Sequence, residues 1–321
     1  MRRRYFITLV GGSAAARPLG ARAQQPKVPR IAVLVAGNPD PAPFWRLFRE
    51  ALRDLGYIEG QTILFEFRSA GGKANLLPEL AAELVRLRVD IIVVWHTPVA
   101  HAARQATREI PIVMADVGDP VGTGLVASLG RPGGNITGLA GIIAELAGKS
   151  VQLIREMLPS ARRVAVMLNV TDPFAKPFLE HIQRAAHTVG VDIHPIRVSG
   201  NEEFEAAFPR MSRERIDVVI VQPSLPTKRA AELALKYRLP AVSVPRWFAE
   251  EGGLMSYSAR LADLYREAAV YVDKILKGAK PADLPIQQPT KFEILINLKT
   301  ARALGVTIPQ SILARADEII Q

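Results

Sequence analysis

The sequence reads Arg30-Ile31-Ala32-Val33-Leu34 near its start, and 133 residues later it repeats this pattern as Arg163-Val164-Ala165-Val166-Met167. Two further pairs follow in the same order, 127 and 129 residues apart: Asp90-Ile91-Ile92-Val93-Val94 with Asp217-Val218-Val219-Ile220-Val221, and Ile110-Pro111-Ile112-Val113 with Leu239-Pro240-Ala241-Val242. The spacing is too long for one unit of a solenoid, whose repeats span roughly 20 to 50 residues. The sequence therefore predicts a duplicated lobe.

Short apolar runs alternate with amphipathic stretches in each half, which is typical of parallel strands joined by helices. In the first half these runs are Ile31 to Ala36, Ile63 to Phe67, Asp90 to Trp95 and Ile112 to Ala115. Strands that are apolar on both faces belong in a sheet covered on both sides. Each half is therefore predicted to be a doubly wound, Rossmann-like α/β lobe, which binds ligands at the carboxyl ends of its strands. Two such lobes that face each other would enclose a cleft.

The first 23 residues have the organisation of an export leader. Arg2-Arg3-Arg4 supplies a positive start, Phe6 to Ala16 is a short apolar stretch, and Ala21-Arg22-Ala23 offers small residues for cleavage. The apolar stretch is too short to span a bilayer, so we expect a signal peptide cleaved after Ala23. Arg3-Arg4-Tyr5-Phe6 resembles a twin-arginine signal, but Thr8 replaces the usual Lys. The route, general secretory or twin-arginine, stays open.

Composition excludes several classes of protein. The predicted leader carries five Arg and no acidic residue, so its removal lowers the formal charge from +10 to +5. The rest contains no run of five or six like charges, and we expect no binding to nucleic acid. The chain has no Cys, which excludes disulfides, thiolate metal sites, Cys nucleophiles and a lipid-anchored Cys. We expect a freely diffusing periplasmic protein that is a monomer.

No motif for catalysis or for a cofactor stands out. Gly122-Thr123-Gly124-Leu125-Val126-Ala127 matches the G-x-G-x-x-A pattern of dinucleotide sites, but it follows the fourth strand and lies several residues past its predicted end near Asp116. The five His residues lack the spacing of a helical zinc site, and no G-x-S-x-G elbow follows the leader. We predict no enzymatic activity, no cofactor and no metal, although a Ser-His-Asp set assembled in space stays open.

The candidate ligand-binding residues lie in the loops at the carboxyl ends of the predicted strands. There, hydroxyls and free helix N–H groups can hold a carboxylate, and aromatic rings can stack on a flat ligand. In the first lobe the candidates are Asn38, Asp40, Phe44, Trp45, His96, Thr97, Asp116 and Asp119. In the second lobe they are Asn169, Asp172, Gln222, Ser224, Arg246 and Phe248.

Three of these candidates have more specific predicted roles. Thr97 and Ser224 are predicted to occupy equivalent positions in the repeat, so that each lobe offers one hydroxyl. Arg246 is the candidate for a charged clamp on the ligand. Trp95 and Trp247 are further aromatic candidates.

Four longer motifs resemble a known family. They are Gly56-Tyr57-Ile58-Glu59-Gly60-Gln61, the stretch from Asp119-Pro120-Val121 to Ile136-Thr137-Gly138, Gly252-Gly253-Leu254-Met255-Ser256-Tyr257, and the C-terminal stretch from Ile308-Pro309 to Asp317-Glu318. In these motifs the chain is similar to ABC-transporter substrate-binding proteins related to the tryptophan-binding TrpX group.

The resemblance implies a type I periplasmic-binding-protein fold, in which two lobes are joined by three crossings of the chain, here near Thr137, Tyr257 and Asp283. Residues 24–137 with 258–283 would form lobe 1, and residues 138–257 with 284–321 would form lobe 2. It also implies capture of a small organic solute, such as an amino acid or an aromatic or other small carboxylate, by hinge closure. The partners would be ABC permease subunits. A sensory protein of the same fold that presents its ligand to a receptor is the alternative.

Overall fold

The computed structural model describes residues 28–37, 42–199 and 201–321. The predicted leader, Asn38 and Asp40 lie outside these residues. The chain first forms β1 (Arg30–Val35), α1 (Ala42–Asp54), β2 (Leu64–Ser69), α2 (Leu77–Arg86), β3 (Ile91–Trp95), α3 (Thr97–Ala106), β4 (Ile112–Gly118) and β5 (Ile136–Gly141).

The next segment has the same alternation of strands and helices. It forms α4 (Ile143–Met157), β6 (Arg163–Asn169), α5 (Ala175–Val189), β7 (Asp192–Val198), α6 (Asn201–Arg213), β8 (Val218–Val221), α7 (Thr227–Lys236), β9 (Ala241–Ser243), α8 (Arg246–Glu250) and β10 (Met255–Ala259). The chain ends with α9 (Leu261–Leu276), β11 (Phe292–Asn297), α10 (Leu298–Leu304), α11 (Gln310–Leu313) and β12 (Glu318–Ile320).

The strand orders of the two sheets confirm the duplication. The first sheet has the order β2-β1-β3-β4-β5 and is parallel throughout. The second sheet contains the same arrangement as β7-β6-β8-β9-β10, extended by β11, which runs antiparallel to β10, and by β12. The chain is therefore an α/β protein with two doubly wound lobes.

The repeat extends to individual hydrogen bonds. Ile31 is in register with Ile91 in the first sheet, and Val164 is in register with Val218 in the second. The Asp90 carboxylate accepts from the backbone N–H of Arg30 at 2.8 Å, and the Asp217 carboxylate accepts from that of Arg163 at 2.9 Å. In both lobes the Asp before a central strand thus anchors the start of its neighbour.

Each sheet is covered on both faces by apolar layers, as its apolar strands require. In lobe 1, one layer holds Leu84 of α2 and Val99 of α3, and the other holds Phe48 of α1 and Tyr265 of α9. In lobe 2 the corresponding layers are formed with α4 and α5 on one face and with α6 and α7 on the other. The strands are therefore packed on both faces, and this packing fixes where their carboxyl ends lie.

Three connections join the lobes, and each lies a few residues later than the sequence-based boundary. β5 continues in the first sheet to Gly141, and β10 continues in the second to Ala259. Helix α9 packs on α1 and returns the chain to lobe 1. Gln287 still pairs with Leu139 of the first sheet before β11 begins. The motifs mark strand interiors, whereas hydrogen bonding decides where each strand ends.

A backbone feature of the lobes supplies a stability test. Arg88, Arg215 and Arg238 lie between a helix and the next strand in the left-handed region, with φ of 52°, 53° and 53°. A Cβ makes this conformation costly by roughly 1–2 kcal/mol, and glycine avoids that cost but is more flexible when unfolded. Replacing the exposed Arg215 by Gly should therefore raise the free energy of unfolding by about 0.5–1 kcal/mol, measured by urea denaturation. The control Arg215→Ala keeps the Cβ and should give no gain; an equal gain in both variants would contradict the explanation.

Candidate ligand-binding site

A deep cleft of about 1830 Å³ separates the lobes at the carboxyl ends of their strands. A second, much smaller cavity of about 20 Å³ adjoins the cleft. Four residues line both spaces, namely His96, Pro223, Trp247 and Leu261. The main cleft can hold a small organic molecule, whereas the small cavity has room for about one water-sized group.

Aromatic rings from both lobes form one wall of the cleft. Trp95 at the end of β3 meets Trp247 of α8 edge to face, with ring centroids 5.5 Å apart and planes at 81°. Tyr265 of α9 contacts the Trp95 ring at 5.3 Å, and the His96 ring stacks on it at 5.2 Å. This wall offers flat apolar surface to a ring-containing ligand from either lobe.

Three residues that line the cleft each have a buried polar side-chain atom with no hydrogen-bond partner among the described residues. The atoms are Trp95 Nε1 and His101 Nε2 in lobe 1 and Ser224 Oγ in lobe 2. The Trp95 indole affects the pKa of Asp116 and the Ser224 hydroxyl affects that of Asp172, but neither atom reaches its carboxylate with hydrogen-bond geometry. Buried polar atoms are usually satisfied. Polar groups of a ligand could satisfy these three.

His96 combines a strained backbone with a neutral side chain. Its φ of 70° and ψ of 151° lie in a region that is occupied almost only by glycine. Burial lowers the pKa of its imidazole from 6.5 to about 4, so the ring is uncharged at neutral pH. Its backbone N–H donates to the carbonyl of Asp116 at 3.1 Å. The residue with this strained backbone lines both the cleft and the small cavity.

Asp116 lies in the small cavity and not in the main cleft. The residue is 8% exposed, and burial raises the pKa of its carboxyl from 3.8 to about 7, an effect that Trp95 only partly opposes. The described residues place no cation in an ion pair with it. Gly141 makes room for the carboxylate, because a Cβ there would lie 2.1 Å from Asp116 Oδ1.

Three predicted aromatic candidates do not line the cleft, and the structure therefore contradicts these predictions. Phe44 is fully buried against Phe48 and Tyr265 in the core of lobe 1. Phe248 is fully buried in the core of lobe 2, beneath Gly253. Trp45 packs on Phe65 at the outer side of β2 and does not line the cleft. Each of the three lies on a helix that follows a strand end, but on the face of that helix that packs against the sheet.

Four polar candidates hold loops together and do not line the cleft. The Thr97 hydroxyl donates to the Gly118 carbonyl at 3.1 Å, and the Asp119 carboxylate accepts from the N–H of Gly122 at 2.8 Å. Gln222 is fully buried; it donates to Asp172 at 2.7 Å and accepts from the N–H of Asn169 at 2.8 Å. Asp172 also accepts from the N–H of Phe174 at 2.9 Å. These side chains shape the loops of the site and do not contact its solute space.

His96, Asn169, Ser224 and Arg246 do line the main cleft. The Arg246 guanidinium is bound to Glu250 at 2.8 Å, to Glu293 at 3.2 Å and to Glu318, so its charge is already neutralised by its own lobe. The predicted equivalence of Thr97 and Ser224 is also inexact. Thr97 begins α3, whereas α7 begins at Thr227, three residues after Ser224.

Sequence reasoning missed several residues of the cleft. His101 and Gln105 lie on α3 beyond its first turn, and residues 71–75 border the cleft from lobe 1. Tyr265 comes from α9, which returns from the other lobe. The helical spacing of His101 and Gln105 is a signal that could have been used. The position of Tyr265 depends on long-range packing and leaves no local signal.

Comparisons with known proteins agree with this architecture. Residues 44–320 match the sequence pattern of a protein family that is described as "ABC transporter substrate binding protein". The chain belongs to this family. The family binds solutes and is not enzymatic, which confirms the prediction that the chain is not an enzyme. Among the described residues, no helix is both long and apolar enough to cross a membrane.

Individual similar proteins support the same fold. A tyrosine-binding protein of Clostridioides difficile (strain R20291) is 27% identical over 265 residues, which cover 81% of this chain and 75% of that protein. A Streptococcus pneumoniae ABC domain solved with L-Trp is 26% identical with a TM-score of 0.84, covering 91% of this chain and 99% of that one. A conserved domain protein of Vibrio cholerae O1 biovar eltor is 28% identical with a TM-score of 0.84, covering 91% and 100%. This substrate-binding protein therefore has the type I periplasmic-binding fold.

Proposed function

We propose that this substrate-binding protein captures a small organic carboxylate, with aromatic amino acids foremost, and delivers it to the permease of an ABC importer. The two lobes would close on the solute by bending at the three connections. Family membership supports the partnership with a permease. No reaction is required, since capture needs only differential affinity for the closed state.

The observation that carries this proposal is that both lobes line the cleft with residues whose buried polar atoms have no hydrogen-bond partner among the described residues. Trp95 Nε1 and His101 Nε2 come from lobe 1, and Ser224 Oγ comes from lobe 2. A ligand that satisfies atoms on both sides gains contacts only when the lobes are together. Such a ligand stabilises the closed arrangement.

The wall around Trp95 and Trp247 supports a ligand with an aromatic ring. The two rings already meet edge to face, and a flat group can replace or extend this contact at little cost. The relatives named above were described with L-Trp and as tyrosine-binding. A ring-bearing amino acid is therefore the first ligand to test.

The leader motif supports export to the periplasm, with cleavage after Ala23, where a binding protein meets solutes and permease. We further propose that the protein acts as a monomer, because one chain supplies residues from both lobes to the cleft. Uptake of labelled solute by cells that carry or lack this gene tests the importer role. Unchanged uptake together with intact binding would favour the sensory alternative.

A thermal-shift screen tests solute binding directly. L-amino acids, aromatic acids and other small carboxylates should be offered to the full mature chain. A true ligand at about 100 times its dissociation constant should add about 2.7 kcal/mol to the free energy of unfolding. The screen should give a small set of hits enriched in ring-containing compounds. A flat response to every compound would contradict the proposed ligand class.

A further inference from the structure

The small cavity beneath the cleft is built from both lobes around one buried carboxylate. Lobe 1 contributes Asp116 and His96, and strand β10 of lobe 2 contributes Ser258. The cavity volume of about 20 Å³ suits one water or one group of the same size, and an ammonium group is of that size. It adjoins the cleft at the residues that line both spaces, among them Trp247 and His96.

The polar atoms of this cavity can accept hydrogen bonds. The Asp116 carboxylate has no ion-pair partner in the described part of the chain. The neutral His96 ring has one nitrogen that accepts. The Ser258 hydroxyl donates to Glu293 at 3.4 Å, which leaves its lone pairs free to accept. An –NH₃⁺ group has three donors and no acceptor, so the three sites match it in number and in sign.

We propose that Asp116, His96 and Ser258 form a subsite for the ammonium group of the solute, so that the cleft selects α-amino acids over carboxylic acids without an amine. This inference rests on the proposed function, because it assumes that a small carboxylate enters the cleft. The ring and carboxylate of the solute would remain in the main cleft.

A metal ion is a poorer occupant of the cavity. The described residues contain no group of three His, Asp or Glu side chains that could hold a metal. A single carboxylate with one imidazole and one hydroxyl is a weak set of metal ligands, whereas it pairs well with one ammonium. A water molecule alone would leave the buried carboxylate without a counter-charge, and this is costly in an apolar site.

The subsite couples binding to protonation. The titratable groups that face the Asp116 carboxyl are His96 at the start of α3 and Tyr265 of α9; β5 presents Gly141 and β10 presents Ser258, which carry no charge. The free carboxyl has a pKa of about 7, and only its ionised form attracts an ammonium. Affinity should therefore fall about 50-fold between pH 7 and pH 5, and at pH 6 binding should release about 0.9 proton.

The test uses isothermal titration of the full mature chain with L-tryptophan and L-tyrosine, each paired with the acid that lacks its amine, 3-indolepropionate and 3-(4-hydroxyphenyl)propionate. At pH 8 the amino acids should bind about 100-fold more tightly than these acids. At pH 5 this preference should nearly vanish. Two buffers with different ionisation enthalpies report the released proton at pH 6.

Three variants complete the experiment. Asp116→Asn keeps the size of the side chain and should remove both the preference for the amine and the pH dependence. Asp119→Asn makes the same charge change in the adjacent loop, outside the cleft, and should behave like the wild type. A third variant, Gly141→Ala, should displace the Asp116 carboxylate and weaken the binding of the amino acids but not that of the acids.

The outcomes separate the two proposals. Equal binding of each acid and its parent amino acid, or unchanged binding by Asp116→Asn, overturns the ammonium subsite and leaves the proposed function standing. Tight binding of the acids without binding of the amino acids would also overturn the ammonium subsite and leave the proposed function standing. If neither the amino acids nor the acids bind at any pH, the subsite and the proposed ligand class both fail.

Discussion

Replacing Trp247 by Ala should weaken the binding of an aromatic amino acid by about 100-fold, which is the effect of removing a central aromatic anchor. Trp247 lines the cleft and the small cavity, and it meets Trp95 across the two lobes. Its indole N–H donates to Thr227 Oγ1 at 3.2 Å, so the ring is held in place before the ligand arrives. Isothermal titration with L-tryptophan measures the loss.

The matched control is Trp45→Ala, which removes an equally large ring outside the cleft. Trp45 packs on Phe65 and lies under the Arg49 guanidinium. This variant should lose stability but retain its dissociation constant. A similar loss of affinity in both variants would show that Trp247 acts through the fold rather than through the solute.

Replacing Asp116 by Asn should stabilise the protein at pH 8 by about 4 kcal/mol relative to the wild type. The pKa of Asp116 rises from 3.8 in the unfolded chain to about 7 in the folded protein. Between these values the folded state holds the proton more tightly, so its stability falls as the pH rises. Asn carries no such charge, and the difference between the variant and the wild type should grow from pH 4 to pH 7 and then level off. Urea denaturation at several pH values measures it.

His96 changes the free energy of unfolding with pH in the opposite direction, and its contribution must be separated from that of Asp116. Its pKa falls from 6.5 to about 4 on folding, so its contribution to stability is present above pH 6.5 and is lost as the pH falls towards 4. In the wild type the two groups nearly cancel over this range, whereas Asp116→Asn should expose the His96 dependence as a rising curve. Parallel curves for the wild type and Asp116→Asn would contradict a buried, ionisable Asp116. Asp119→Asn serves again as the control.

The duplicated lobe could be predicted from the sequence because its determinants are local. The runs Arg30–Leu34 and Arg163–Met167 become β1 and β6 at equivalent positions in their sheets. Asp90 and Asp217, which precede the next paired strands, even make the same backbone contact. Strand pattern, turn residues and spacing all act over a few residues, so one sequence is enough to detect them.

The site could be predicted only in part, because proximity to a strand end does not determine where a side chain points. His96 and Ser224 reach the cleft, but Phe44 and Phe248 turn into the two cores. Asp172 and Gln222 pair with each other rather than with solute. The orientation of each depends on helix phase and on partners about 50 residues away or more, and no local pattern records these.

The charge of Arg246 gives a second example. Its predicted role as a clamp required a free guanidinium, whereas Glu293 and Glu318 approach it from β11 and β12. These strands come after the repeated part of the sequence and extend the second sheet at its edge. Nothing in the repeat indicates that they reach this loop.

The central claim is that the two lobes close on one solute, and energy transfer between labels on the two lobes tests it most directly. The chain has no Cys, so Glu79→Cys on α2 and Lys236→Cys on α7 would give two specific labelling sites, both exposed in the wild type. Addition of L-tryptophan or another hit from the thermal screen should raise transfer efficiency with the same midpoint as binding, and Trp247→Ala should shift that midpoint to higher concentration. Binding with no change in transfer, or a change that does not saturate with binding, would contradict closure on the solute.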